Sequence, residues 1–112
     1  MNYRQEYEKW LASPALSEDE RNELKAIAND EKEIENRFYG PLEFGTAGLR
    51  GTMYVGLHNM NRHVIRWATQ GFANVIRAEG EAAMKKGVAI CTDCRNHSME
   101  FALAAACVVA GN

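Results

Sequence analysis

Apolar residues recur at helical spacing through the first third of the chain. Tyr3, Tyr7, Trp10 and Leu11 share one face of a short helix over 3–13, and Pro14 stops it or lies just past its end. Ser17 followed by Glu20 three residues on is a capping-box signal for a second helix, whose acidic first turn suits the helix dipole. Leu24, Ile27 and Ala28 give that helix its stripe, and Ile34 and Phe38 continue the helical pattern over 31–38. Gly40-Pro41 then breaks it. Residues 1–39 show no pattern that carries chemistry, so their expected role is packing against the rest or capping it.

The pattern changes at Leu42. Five of the nine glycines lie between positions 40 and 56, and LEFGTAGLRGTMYVG reads as short apolar pieces separated by glycine. The spacing predicts a loop at 43–48, a strand over 49–55 and a turn over 56–60. Asn61 then caps a helix over 61–86, with Val64, Ala68, Phe72, Val75 and Ile76 as its buried stripe and Arg62, Arg66 and Gln70 on a polar face. Gly71 and Gly80 each weaken that helix by about 1 kcal/mol relative to Ala, and Gly80 marks a fray or break. Gly87 suits the position just after a helix. Residues 87–91 read as a buried strand and 92–97 as a polar turn. Ser98 caps a final, almost wholly apolar helix over 99–110, which expects cover on most sides. Helices, strand, helix, strand, helix is the order of an α/β domain with helices on the faces of a sheet.

Composition narrows the function classes. The chain has 112 residues, 46% hydrophobic and 25% charged, the profile of a soluble globular protein. No apolar run is long enough to span a membrane, and the opening residues lack the apolar core of a secretory signal. A net charge of −2 argues against nucleic-acid binding by phosphate neutralisation. The balance is uneven, however. Residues 1–39 carry six Lys/Arg against ten Asp/Glu, whereas residues 40–112 carry seven against five, and five of those seven are Arg. Arginine is the better fork for phosphate. Three cysteines, Cys91, Cys94 and Cys107, do not make a disulfide scaffold and fit a reducing, cytoplasmic setting.

Three stretches are candidates for chemistry. Gly45-Thr46-Ala47-Gly48-Leu49-Arg50-Gly51 has glycines that allow close backbone approach, amides that could turn inward on an anion, a hydroxyl at Thr46 and a bidentate donor at Arg50. It matches neither the P-loop nor the dinucleotide fingerprint, and a tight structural turn is the alternative. Cys91-Thr-Asp-Cys94 is a CxxC motif at a strand-to-helix junction. A thiol oxidoreductase would need one stabilised thiolate there, and a zinc site would need further ligands such as His97 and Cys107. The plainer expectation makes Cys91 and Cys107 small core residues. Asp93 and Arg95 lie in the polar turn after a strand, where ligands gather in open α/β sheets, or else form a local ion pair or Asx-turn. His58, His63 and His97 are scattered, and surface or capping roles are expected for them.

From Leu42 onward the sequence resembles the α-D-phosphohexomutase superfamily, in its phosphoglucomutase/phosphomannomutase branch. The resemblance rests on Phe44-Gly45-Thr46-Ala47-Gly48-Leu49-Arg50-Gly51, Met60-Asn61, Ala68-Thr69-Gln70-Gly71, Asp93-x-Arg95, Ser98 and Glu100-Phe101-Ala102, with Arg37-Phe38-Tyr39 upstream. It implies interconversion of hexose 1-phosphate and 6-phosphate through an enzyme phosphoserine, supported by Mg2+, in a cytoplasmic four-domain isomerase of carbohydrate metabolism. The implied fold is a partial three-layer α/β/α domain with a mixed sheet, residues 40–112 being an incomplete first domain and residues 1–39 a helical extension. Arg50 matches the arginine that enters the cleft beside the phosphoserine, and Gly45, Thr46 and Gly48 match the turn that presents it. Thr46, Gly48 and Arg50 are therefore the implied substrate-binding residues, and Asp93 and Arg95 the near-site support.

The family's serine loop, metal loop, sugar-selecting loop and last phosphate-binding loop have no counterpart in the 112 residues, and the resemblance places them beyond Asn112 together with the remaining domains. Neither a nucleophilic serine nor a metal-binding Asp triplet is expected here, so the chain alone is expected to be inert. Tyr54 and Cys94 stand where the branch commonly has glycine and serine. The alternative from another class is a non-catalytic module that binds phosphate or a partner.

Overall fold

The computed structural model describes residues 2–46 and 48–112. The chain forms two compact units, one up to Asn61 and one from Arg62 onward.

The first unit begins with α1 (Tyr3–Leu11), α2 (Glu18–Ala26) and α3 (Glu31–Phe38). Each starts on a side-chain cap: Asn2 accepts from the amides of Arg4 and Gln5, Ser17 forms the full capping box with Glu20, and Asp30 accepts from the amide of Glu33. Pro14 lies just past α1, and Asp30 opens a helix separate from α2. The three apolar stripes converge on one core. Leu24, Ile34 and Phe38 are fully buried, with Tyr7, Leu16, Val55 and Leu57 around them. Phe38 is the centre of this packing. Tyr7 and Trp10 meet its ring edge-to-face at centroid distances of 5.8 and 5.7 Å. The Tyr7 hydroxyl enters this apolar cluster satisfied, donating to the Leu24 carbonyl at 2.9 Å. Val55 and Leu57 bring the glycine-rich segment onto the same core, so the three helices do pack against the residues beyond position 39.

The second unit holds α4 (Arg62–Glu79), α5 (Glu81–Lys85) and α6 (Ser98–Ala110), with α4 packed on α6. Gln70 on α4 and Asn112 exchange two amide hydrogen bonds of 3.0 Å. Gly80, at φ +101°, breaks the helical run between α4 and α5, and Gly87, at φ +74°, follows the end of α5.

Several expectations are corrected. The strands expected over 49–55 and 87–91 are not formed. Among the described residues the one sheet is an antiparallel pair, β1 (Phe44–Gly45) and β2 (Gly48–Leu49), and no mixed sheet appears. A strand exists through its ladder, and among the described residues Leu49 alone of these two segments is paired, opposite Phe44. On α4 the buried positions are Val64 and Ala73, while Phe72 and Val75 face outward. Helix α6 begins at Ser98 rather than being capped by it. Its N-cap is His97, in a left-handed conformation at φ 64°. All three cysteines are free and exposed, so Cys91 and Cys107 are not core residues.

Candidate functional site

The glycine-rich segment folds into two joined parts. The first is the β1–β2 hairpin, in which Phe44 opposes Leu49 and Gly45 opposes Gly48. Gly48 has φ +113°, a conformation that a side chain would strain. Thr46 lies exposed in the connecting turn; the inward-amide arrangement expected of this turn includes residue 47, outside the described residues. The second part is a closed loop from Thr52 to Met60. Its neck is bonded where the Met60 amide donates to the Thr52 carbonyl at 2.9 Å. Such a loop, with its ends together and its own side chains inside, is an Ω-loop. Val55 and Leu57 anchor it in the core beside the three helices, and two asparagines satisfy its inner carbonyls. Asn59 Nδ2 donates to the Val55 carbonyl, and Asn61 Nδ2 to those of Tyr54 and Gly56.

Arg50 stands between these parts. The residue before it belongs to β2. Gly51, after it, passes so close to Leu42 that a Cβ there would lie 3.2 Å from a Leu42 methyl. The backbone at position 50 is thus held on both sides, while its side chain is exposed. Among the described residues, no hydrogen bond or ion pair engages its guanidinium.

Arg37 is the opposite case. Its side chain is 7% exposed, yet Nε donates to Glu33 at 2.9 Å and Nη1 to Glu23 at 2.9 Å. Nη1 also donates to the Val55 carbonyl at 3.2 Å, and the ring of Tyr54 covers the guanidinium at 4.6 Å. The same Glu23 oxygen accepts the Val55 amide at 2.7 Å. A buried cation of this kind is tolerated only when paired and hydrogen-bonded, as it is here. A second fastening lies beside it. The Tyr39 hydroxyl and His58 Nε2 are 2.8 Å apart, and His58 Nδ1 lies 3.1 Å from the Gly40 carbonyl oxygen. Residues 1–39 were expected to carry packing only, and these polar fastenings were missed. The visible signal was an arginine spaced four from Glu33 beside an apolar stripe.

Asp93 and Arg95 belong to the second unit. Asp93 Oδ1 accepts the Arg95 amide at 3.0 Å, an Asx-turn, and the Asp93 amide donates to Ser98 Oγ at 3.0 Å. The Arg95 amide and the Ser98 hydroxyl hold the Asp93 carboxyl below its ordinary pKa. His97 pairs with Glu100 at 3.0 Å and its ring stacks on Phe101. Among the described residues, no group of three or more His, Cys, Asp or Glu is placed to hold a metal ion. The zinc arrangement weighed for the cysteines therefore has no support, and these residues do not fit a resident magnesium. No described helix is long and apolar enough to cross a membrane.

Residues 41–112 match the family profile described as phosphoglucomutase/phosphomannomutase, alpha/beta/alpha domain I. The chain is 37% identical over 89 residues to a mouse protein named phosphopentomutase, covering 80% of the chain and 14% of that protein. It is 30% identical over 96 residues to the phosphomannomutase of Mycoplasma pneumoniae, covering 86% of the chain and 17% of that protein. It is 40% identical over 78 residues to the phosphoribomutase of Saccharomyces cerevisiae, covering 70% of the chain and 12% of that protein. The chain thus spans a small fraction of the length of these relatives. No solved structure matches it.

Proposed function

The chain belongs to the phosphoglucomutase/phosphomannomutase family, and from that premise we propose that it supplies the phosphate-facing arginine of a cytoplasmic sugar phosphomutase. The reaction is interconversion of hexose 1-phosphate and 6-phosphate through an enzyme phosphoserine. The observation that carries the reading is Arg50, an exposed guanidinium on a backbone held on both sides by the hairpin and the Ω-loop. A cation carried on a held backbone, with its guanidinium donors unused, is suited to neutralise charge on a transferring phosphoryl group. Gly45 and Gly48 shape the turn, and the exposed Thr46 hydroxyl contributes a further donor toward a phosphate oxygen. Asp93 and Arg95 act as support, with the Asx-turn holding the arginine's backbone. Magnesium assists the family's transfer in this reading, and the described residues offer no ligand cluster for it.

A pentose phosphate is the second reading of the substrate, favoured by the relatives named phosphopentomutase and phosphoribomutase. The 112-residue chain by itself is expected to show no sugar-phosphate isomerisation, since Ser13, Ser17 and Ser98 do not stand in the sequence context of the family's phosphoserine.

The test is a titration of inorganic phosphate and glucose 1-phosphate into the isotopically labelled chain, read at the Arg50 side-chain Nε resonance and, in both the unaltered chain and Arg50→Ala, at the backbone amides of Gly48 and Gly51. The resonance should move with phosphate. Arg50→Ala should weaken binding by about tenfold or more, as expected for one charge-assisted hydrogen bond worth ~1.5–3 kcal/mol. Unchanged binding in Arg50→Ala removes the reading. Isomerisation by the 112-residue chain that is lost in Arg50→Ala would overturn its predicted inertness. A non-catalytic phosphate-binding module is distinguished by reading the coding frame beyond codon 112: a serine loop of the family's kind supports the enzyme, and a stop codon supports the module.

A further inference from the structure

We propose that Arg37 and Glu23 are positioning residues for Arg50, acting through the Ω-loop. The inference rests on the phosphate reading of Arg50 and extends it to two residues upstream of the turn. The profile of the family starts at residue 41, so both lie outside the segment that the profile matches.

The path is continuous. Glu23 on α2 holds two groups with one oxygen, the Arg37 guanidinium at 2.9 Å and the Val55 amide at 2.7 Å. Arg37 in turn donates to the Val55 carbonyl at 3.2 Å. Both backbone polar groups of Val55 are therefore fixed by one ion pair. The loop is also pressed onto α3. The His58 amide donates to the Arg37 carbonyl at 2.9 Å, and a Cβ on Gly56 would lie 2.9 Å from the Arg37 Cβ. From Val55 the constraint passes to the neck. The Tyr54 amide bonds Thr52 at 3.0 Å, and the Met60 amide bonds the same carbonyl at 2.9 Å. Thr52 is two residues from Arg50, and Gly51 between them is wedged against Leu42.

The two arginines thus divide the work. One has its charge spent on Glu23 and Glu33 and orders the loop. The other keeps its guanidinium exposed at the end of that loop. An ion pair between a buried arginine and partly exposed carboxylates is weak evidence for net stability, and a role in fixing one geometry explains its placement better.

The test uses the 112-residue chain with Glu23→Ala, Glu23→Gln and Arg37→Lys. Alanine keeps α2 intact because it is the best helix former. Amide hydrogen exchange at residues 50–60 is followed beside that of Leu24 and Ile34, which report the core. Glu23→Ala should speed exchange at the hydrogen-bonded amides of Val55, Tyr54 and Met60 by about tenfold or more while core protection stays as in the unaltered chain. Phosphate affinity at Arg50 should fall on the order of threefold. Glu23→Gln, which keeps an acceptor, should recover part of both. Arg37→Lys should resemble Glu23→Ala, since an ammonium cannot span Glu33, Glu23 and Val55 with a planar fork.

Unchanged exchange at 50–60 overturns the proposal. So does an equal loss of protection in the core, which would make the pair a general support of the fold. If Arg50 in the unaltered chain ignores phosphate, the phosphate reading fails, and the exchange results still decide whether the pair orders position 50.

Discussion

The two units of this chain use their apolar residues differently. In the first, three short amphipathic helices turn their stripes onto one core, and Leu24, Ile34 and Phe38 are fully buried. In the second, α4 and α6 pack on each other but leave Trp67, Phe72, Val75, Met99 and Leu103 exposed, Leu103 at 66%. The first unit contains enough elements to enclose a core. A pair of helices such as α4 and α6 covers only one stripe of each partner, and α6 is apolar all round. Burial, rather than hydrophobicity of the sequence, therefore separates the residues that stabilise this chain from those that do not.

Substitutions in the two units sharpen that contrast, with Trp67→Phe as background so that Trp10 alone reports the first unit. Phe38→Ala should have the largest effect, a loss of about 3–5 kcal/mol in denaturant unfolding followed at Trp10, since it removes the ring that both Tyr7 and Trp10 pack on. A loss below about 1 kcal/mol would mean that Phe38 is not the centre of the core. Gly56→Ala comes next. Its Cβ would meet Arg37 Cβ at 2.9 Å and the Arg37 carbonyl oxygen at 3.0 Å, on a backbone at φ +144°. Strain and forced displacement together should cost roughly 1–3 kcal/mol in the same experiment.

Ser17→Ala removes one half of a capping box and should cost about 1 kcal/mol. Phe72→Ala is the counterpart of Phe38→Ala in the second unit. At 53% exposure, Phe72 should change stability by about 0.5 kcal/mol or less, read by the far-UV signal of the helices. A loss comparable with that of Phe38→Ala would erase the distinction between the units.

The smallest effect is electrostatic. The Asp93 carboxyl is held below its ordinary pKa by the Arg95 amide and the Ser98 hydroxyl. A depressed folded-state pKa means that the contribution is present above the unfolded value of 3.8 and is lost as the pH falls through the folded one. A carbon-detected titration of Asp93 should give a midpoint below 3.8, and Ser98→Ala should move it upward. A midpoint at or above 3.8 would show that the turn places no bond on the ionised carboxyl.

Much of this architecture was legible from local signals. Ser17 and Glu20, three apart, sufficed for the start of α2, because a capping box is closed by its own residues. Gly80 and Gly87 marked the break and the stop around α5 for the same reason, a backbone conformation that glycine alone adopts cheaply. Arg50 was singled out from glycine spacing and from a family resemblance, and the structure leaves its side chain exposed. The segments 49–55 and 87–91 were misread, because apolar runs with strand propensity become strands only beside a partner. In the first unit, Thr52–Met60 closes on itself and its carbonyls go to Asn59, Asn61 and Arg37.

The sequence by itself determined the helices, the capping box of α2, the glycine-shaped turn and the membership of the phosphoglucomutase/phosphomannomutase family. Each comes from interactions between residues a few positions apart, or from a string of residues specific enough to stand alone. Tertiary structure alone decided that Arg37 is buried and Arg50 exposed, and that Glu23 reaches across 32 positions to Val55. Nothing in the residue type distinguishes the two arginines. What separates them is the carboxylates and aromatic ring that folding brings against one guanidinium and not the other.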